Sequence, residues 1–244
     1  MKLVITGRSG RMGMAVAEAI EANPETEIHG THDVEEDLHP LLDGADAAID
    51  FTIHSFTSQL LADAVATKTS LVIGTTGHNE KELAAIQDAA TKIPVVFAPN
   101  FSVGVNTLFW LTRHAAKILG NDRFDIEVTE MHHRHKIDAP SGTARRLLQI
   151  LNEETKTSYE HDVAHGRVGI TGERPQSQIG MHSLRGGDVV GDHTVLFAAD
   201  GERVELTHKA SSRMTFASGA VRAALWLREK PAGLYDMQDV LGLT

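Results

Sequence analysis

A chain of 244 residues with 41% hydrophobic side chains is long enough for one large domain or two modest ones with packed cores. Its formal charge of -10 argues against a broad nucleic-acid surface, which depends on clustered Lys and Arg. Without Cys it can form neither disulfides nor thiolate zinc sites, and no stretch approaches the roughly 20 apolar residues of a membrane helix.

The first apolar run breaks at Gly7, too short for a signal-peptide core, so a cytoplasmic protein with no membrane role is expected. Along residues 1–100, short β-rich runs alternate with segments of helical spacing, the pattern of βαβ units on a parallel sheet. Residues 2–6 predict the first strand. Met12, Ala15, Val16, Ala19 and Ile20 then share one helical face, ended by the Asn23-Pro24 breaker. Strands are expected at 27–32, 47–51, 70–73 and 95–98, and helices near 58–66 and 80–90. After Phe101 the rhythm changes to a helix at about 105–119, a strand at 125–130, a loop, and a helix beginning near Ser141. Residues 156–178, rich in Gly, Pro and polar side chains, read as a long mobile loop. Strands at 179–184, 194–197 and 203–208, joined by Gly-Asp and Asp-Gly turns, favour a mixed or antiparallel sheet. Helical spacing returns at 216–228, in a helix expected to pack back onto the first domain.

Gly7, Gly10 and Gly13 of G-R-S-G-R-M-G lie between the first strand and the first helix. A turn there brings backbone N–H groups and a helix N-terminus against a pyrophosphate. Three glycines alone serve equally for a tight turn and close helix packing; the flanking strand and helix are what point to a dinucleotide. Asp33, 20 residues after Gly13 at the end of the second strand, is placed to accept from ribose hydroxyls. Gly74-Thr75-Thr76-Gly77 and Ala98-Pro99-Asn100-Phe101 close two more strands at the carboxyl edge, where open α/β sheets bind ligands. Ordinary turns explain them equally well at this point.

His132-His133-Arg134-His135-Lys136 is a basic cluster in an acidic chain, just before a helix start that Ser141 can cap. The N–H groups of Gly142 and Thr143, at the positive end of that helix, suit a carboxylate. Three readings of the histidines compete. A metal site is disfavoured, because His132 and His133 point opposite ways in an extended chain and no H-E-x-x-H motif occurs. A solvated polar loop is the plain alternative. Beside a hydride donor, a His that supplies a proton near neutral pH becomes the better reading.

The segment E-M-H-H-R-H-K-I-D-A-P-S-G-T-A (130–144) resembles the signature of the dihydrodipicolinate reductase family, and the resemblance runs through I-D-F-T, V-I-G-T-T-G, A-P-N-F-S-V-G-V-N, S-L-R-G-G-D-V-V-G-D-H-T-V-L-F and T-H-K-A-S-S-R-M-T-F over nearly the whole chain. It implies an α/β protein: a Rossmann-type dinucleotide-binding domain of residues 1–102 plus 213–244, with an inserted α+β substrate-binding and oligomerisation domain, 103–212, built on a mixed sheet. The implied reaction is reduction of the dicarboxylate imine 4-hydroxy-tetrahydrodipicolinate to tetrahydrodipicolinate with NADH or NADPH, in lysine and diaminopimelate biosynthesis. A homotetramer is implied, with no metal.

By the same resemblance His132 is the proton donor and Lys136 the second catalytic group, while His133, Gly142 and Thr143 bind substrate carboxylates. Gly7, Arg8, Ser9, Gly10, Arg11, Met12, Asp33, Gly74, Thr75, Thr76, Ala98, Pro99, Asn100 and Phe101 match cofactor contacts, and Arg213 and Phe216 approach the cofactor. Two positions depart from relatives that carry a basic residue for the NADPH 2′-phosphate: Val34 follows Asp33, and Ile53 follows I-D-F-T. These lean toward NADH or dual use, with Arg8, Arg11 or a loop Lys still available to NADPH. Two other functions stay in view, a non-catalytic dinucleotide sensor that binds a protein partner and a reductase of a different dicarboxylated imine.

Overall fold

The computed structural model describes residues 1–34 and 36–243. The chain divides into two compact units, Met1–Val103 with Arg213–Thr244, and Gly104–Ser212. The first opens with β1 (Lys2–Thr6), α1 (Arg11–Glu21), β2 (Glu27–His32), α2 (His39–Leu42) and β3 (Ala47–Asp50). It continues with α3 (Thr57–Thr67), β4 (Ser70–Ile73), α4 (Glu80–Ala90) and β5 (Pro94–Phe97). Next in the chain come α5 (Val103–Leu119), β6 (Asp125–His132), α6 (Gly142–Thr155), α7 (Tyr159–Asp162), β7 (Val163–His165), β8 (Ile179–Arg185), β9 (Gly191–Ala199) and β10 (Glu202–Ala210). The chain then returns to the first unit as α8 (Met214–Leu227), β11 (Gly233–Tyr235) and α9 (Met237–Leu241).

The first sheet is parallel, in the order β11-β5-β4-β3-β1-β2. Alternation along β1 explains how it is covered. Leu3 and Ile5 face a core with Val16 and Ile20 of α1 and Ala217 to Leu227 of α8. Val4 faces the opposite core, with Leu42 of α2, Leu60 and Leu61 of α3 and Ile86 of α4. The helix at the chain's return therefore packs on the first unit, as its apolar spacing predicts. The order of strands reverses direction between β3 and β1, and outside the carboxyl ends of the strands at such a switch point is where open α/β sheets bind ligands.

The second sheet is mixed, in the order β10-β9-β6-β8-β7. β10, β9 and β6 run antiparallel to their neighbours, while β6, β8 and β7 are parallel. Ile126, Val128, Ile179, Met181, Val195 and Phe197 pack on α5 and α6 to form its core.

Some expectations needed correction. Strand β6 runs two residues beyond the predicted end at Glu130, because Met131 pairs with Asp192 and His132 with Arg185. The predicted mobile loop 156–178 contains α7 and β7, the latter paired with β8. Beyond β7 the chain is tied to β6 by Arg167 and Arg174, which bond Glu127 at 2.7 Å and 3.2 Å. Arg174 also bonds Asp125 at 2.8 Å. Burial pushes the Glu127 carboxyl up, but bonds from Arg167, His182 and Arg174 outweigh it and hold the group at about 2.

A carboxyl depressed in the folded state stabilises fully above its unfolded value, near 4.5, and loses that contribution as pH falls toward 2. The urea midpoint of the protein should therefore drop between pH 4.5 and 2. Glu127→Gln, less stable at pH 7 by about 1–3 kcal/mol, should fall less over that interval. Parallel losses in the two proteins would place the acid sensitivity elsewhere.

Candidate active site

In the first unit, β1 ends at Thr6 and the chain turns at Gly7, whose φ of 69° favours glycine. The Gly7 N–H donates to the His32 carbonyl at 2.8 Å, and the Gly10 N–H donates to the Gly7 carbonyl at 3.0 Å. A Cβ at Gly13 would lie 2.1 Å from the Gly7 oxygen, so only glycine allows α1 to start this close to the turn. Gly10 supplies no side-chain cap to α1, and the helix has no acid in its first turn. Its positive end is thus left to a ligand, and the cradle fits a pyrophosphate.

Arg8, Ser9, Arg11 and Met12 lie along this turn, and Asp33 closes against it. The Asp33 carboxylate accepts from the Ser9 N–H at 3.1 Å and from the Ser9 hydroxyl at 3.0 Å. The Asp33 N–H donates to Glu36 at 2.7 Å, which places a second carboxylate at the end of β2. Val34 is 88% exposed and Ile53 65%, so neither apolar side chain is absorbed by the core.

A fully buried acid with no role assigned from sequence joins three of these turns. Asp50, at the end of β3, accepts hydroxyl bonds from Thr6 at 2.6 Å, Thr52 at 2.7 Å and Thr75 at 2.6 Å. Thr75 is thereby fixed beneath the 74–77 turn, while Thr76 is exposed. The Phe51 ring fills the space where a Cβ of Gly74 would sit, 2.1 Å away. Phe101 is buried and meets Phe51 edge-on at 5.6 Å; Ala98 is buried, Pro99 exposed and Asn100 half-buried. A Cβ at Gly219 would lie 1.8 Å from the Phe101 carbonyl oxygen, so α8 packs directly on the 98–101 turn. Arg213 and Phe216 stand in its first turn, both half-buried. A lone acid in the apolar run A-A-I-D was the available signal for Asp50.

In the second unit, β6 delivers Glu130 and His132 to the same sheet face, since alternate residues of a strand point the same way. His132 Nδ1 lies 2.5 Å from a Glu130 oxygen. Arg185 of β8 donates to that same oxygen at 2.9 Å, and the Ser141 N–H donates to the other at 3.3 Å. Burial pushes the Glu130 carboxyl up, but bonds from His132, Arg185 and Ser183 outweigh it and hold the group at about 2. Ser141 caps α6, its hydroxyl accepting from the Ala144 N–H at 3.2 Å and meeting His193 Nε2 at 3.1 Å.

Gly142 is exposed and Thr143 half-buried at this helix start, and α6 has no acid in its first turn. His133 is held by its backbone, the N–H donating to the Val189 carbonyl at 2.7 Å. Lys136 Nζ lies 2.9 Å from Asp138. No group of three or more His, Asp or Glu among the described residues is arranged to hold a metal ion. Glu130, Arg185 and His193 are the residues that sequence reasoning missed here. The i, i+2 spacing of Glu130 and His132 was the signal, hidden when the strand is ended at Glu130.

A parallel sheet whose first strand passes through a glycine turn into an uncapped helix is a Rossmann-type dinucleotide-binding fold, and the chain is a nicotinamide-dependent oxidoreductase. Its sequence matches the family models described as dihydrodipicolinate reductase, N-terminus, over residues 1–101 and dihydrodipicolinate reductase, C-terminus, over residues 104–241. It is 64% identical over 244 residues to the 4-hydroxy-tetrahydrodipicolinate reductase of Akkermansia muciniphila, covering 100% of this chain and 99% of that one. It is 48% identical to the protein of that name from Chromobacterium violaceum, over 99% of this chain and 98% of the relative. The dipicolinate-bound dihydrodipicolinate reductase of Paenisporosarcina sp. TG-14 has the same fold, with a TM-score of 0.82 and 24% identity over 98% of each chain. The chain belongs to the dihydrodipicolinate reductase family.

Proposed function

We propose that the chain reduces 4-hydroxy-tetrahydrodipicolinate to tetrahydrodipicolinate in diaminopimelate and lysine biosynthesis, as its relatives' names describe, and that it favours NADH over NADPH. The observation that carries the reaction is His132, fixed by a buried carboxylate beside the Ser141-capped, acid-free start of α6. Reduction of the imine system adds a hydride and a proton and releases water. When bound, the nicotinamide supplies the hydride. His132 gives up the proton, and Lys136 places a positive charge where negative charge gathers on the substrate. His133 and the N–H groups of Gly142 and Thr143 hold the substrate carboxylates.

The residues along the glycine turn, 7–12, hold the pyrophosphate, and Asp33 takes the adenosine ribose. Gly74, Thr75, Thr76, Ala98, Pro99, Asn100 and Phe101 wall the cofactor, with Arg213 and Phe216 beside them. The residues of the second unit serve substrate binding and assembly into a homotetramer, and the enzyme works in the cytoplasm without a metal.

NADH preference follows from charge. Asp33 and Glu36 place two carboxylates at the end of β2, and exposed Val34 and Ile53 supply no cation for a 2′-phosphate. The protein, coupled to a synthase fed with pyruvate and aspartate semialdehyde, should oxidise NADH with kcat/KM about tenfold or more above NADPH. Val34→Arg should narrow or reverse that ratio; NADPH preference in the wild type would overturn the reading. Pyridine-2,6-dicarboxylate should compete with substrate. Cofactor binding with no turnover would instead favour the sensor.

A further inference from the structure

We propose that Glu130 is a positioning residue for the reaction: it fixes His132 with Nδ1–H donated to its carboxylate, so that Nε2 is the ring atom that hands over the proton. This rests on the reading of His132 as proton donor. The geometry leaves Nδ1 no other role. Glu130 is 0% exposed, and the oxygen facing His132 also takes Arg185, while the other takes the Ser141 N–H. An ionised carboxylate only accepts hydrogen bonds, so at 2.5 Å Nδ1 must be the donor. Nε2 is then the atom that gains and loses the proton.

Two further neighbours flank the His132 ring. A Cβ at Gly191 would lie 3.0 Å from Nε2, so glycine there keeps the approach to that atom open. The ring of His193 stands nearly perpendicular to that of His132, with centroids 5.2 Å apart. Burial and then the charge of His132 push His193 down to about 3, so it stays neutral and does not compete for the proton. The charged and titratable groups around the pair are Arg185 on β8, His193 on β9, His208 on β10, and Lys136 with Asp138 in the following loop. Ser141, at the start of α6, is uncharged.

Glu130→Gln keeps the shape but brings an amide that can donate as well as accept, so Nδ1–H is no longer enforced and Nε2 is no longer fixed as the atom that hands over the proton. In nitrogen-15 NMR of that variant the neutral ring should show a population protonated on Nε2 that the wild type lacks. Turnover, kcat, should fall about tenfold or more, with NADH affinity within about twofold of wild type. A wild-type tautomer signal in the variant together with kcat altered less than about twofold would overturn the proposal. Merely structural damage would lower activity with the tautomer unchanged and would count against it too.

His132→Ala separates the two claims. If it keeps wild-type turnover, the proton-donor reading fails; if it is inactive while Glu130→Gln behaves as wild type, only the positioning role fails. Nitrogen-15 NMR of the wild-type imidazole tests the same point without any variant at position 130. The neutral ring should carry its proton on Nδ1, and a proton on Nε2 would refute the assignment.

Discussion

His132→Ala should lower kcat by about 10²–10⁴-fold and Lys136→Ala by a similar factor, with the dissociation constant for NADH within about twofold of wild type in both. On the proposed mechanism the first removes the proton donor, the second the cation, paired with Asp138 at 2.9 Å, that offsets charge building on the substrate. Both residues belong to the second unit, whereas the glycine turn and Asp33 belong to the first. Cofactor affinity and turnover should therefore separate. Titration of NADH fluorescence alongside steady-state rates measures the two quantities; an equal loss of NADH affinity in both variants would contradict the division of labour.

Gly13→Ala should be a severely damaging single methyl group in the first unit. The added carbon would meet the Gly7 oxygen at 2.1 Å and the Arg8 Cα at 2.8 Å, both of them backbone atoms. The turn must open or α1 must withdraw, and either movement dismantles the set of N–H groups proposed to receive the pyrophosphate. A stability loss of about 1–3 kcal/mol is expected from the overpacking, together with at least about tenfold weaker NADH binding. Gly142→Ala is the contrast for stability, because a Cβ there would meet nothing within 4 Å. Its thermal midpoint should stay close to wild type. Comparable midpoints for the two variants would show that the Gly7 turn yields easily.

How much was legible depended on whether the relevant partners were near in sequence. The βαβ rhythm, the glycine turn after β1, the helix start at Ser141 and the returning helix α8 were all readable, because each rests on periodicity or on short-range backbone chemistry. The short strand β11 was not. It owes its place to pairing with β5, far away in the chain, rather than to the three residues that form it. The same holds for β7, which lies inside an expected loop and exists by pairing with β8. Strand β6 outruns its expected end at Glu130 for the related reason that Met131 and His132 are polar-flanked yet paired across the sheet.

The site divides along the same line. The chain's chemistry-bearing residue types, the glycines that need a close approach and the cationic run before a helix N-terminus were determined by the sequence itself, since they depend on side-chain identity and local spacing. Which carboxylate orients His132, and that Asp50 gathers Thr6, Thr52 and Thr75 beneath the turns, was decided only by the tertiary structure. A buried charge persists only where several strands bring donors to it at once, and the identity of those strands is a property of the folded sheets.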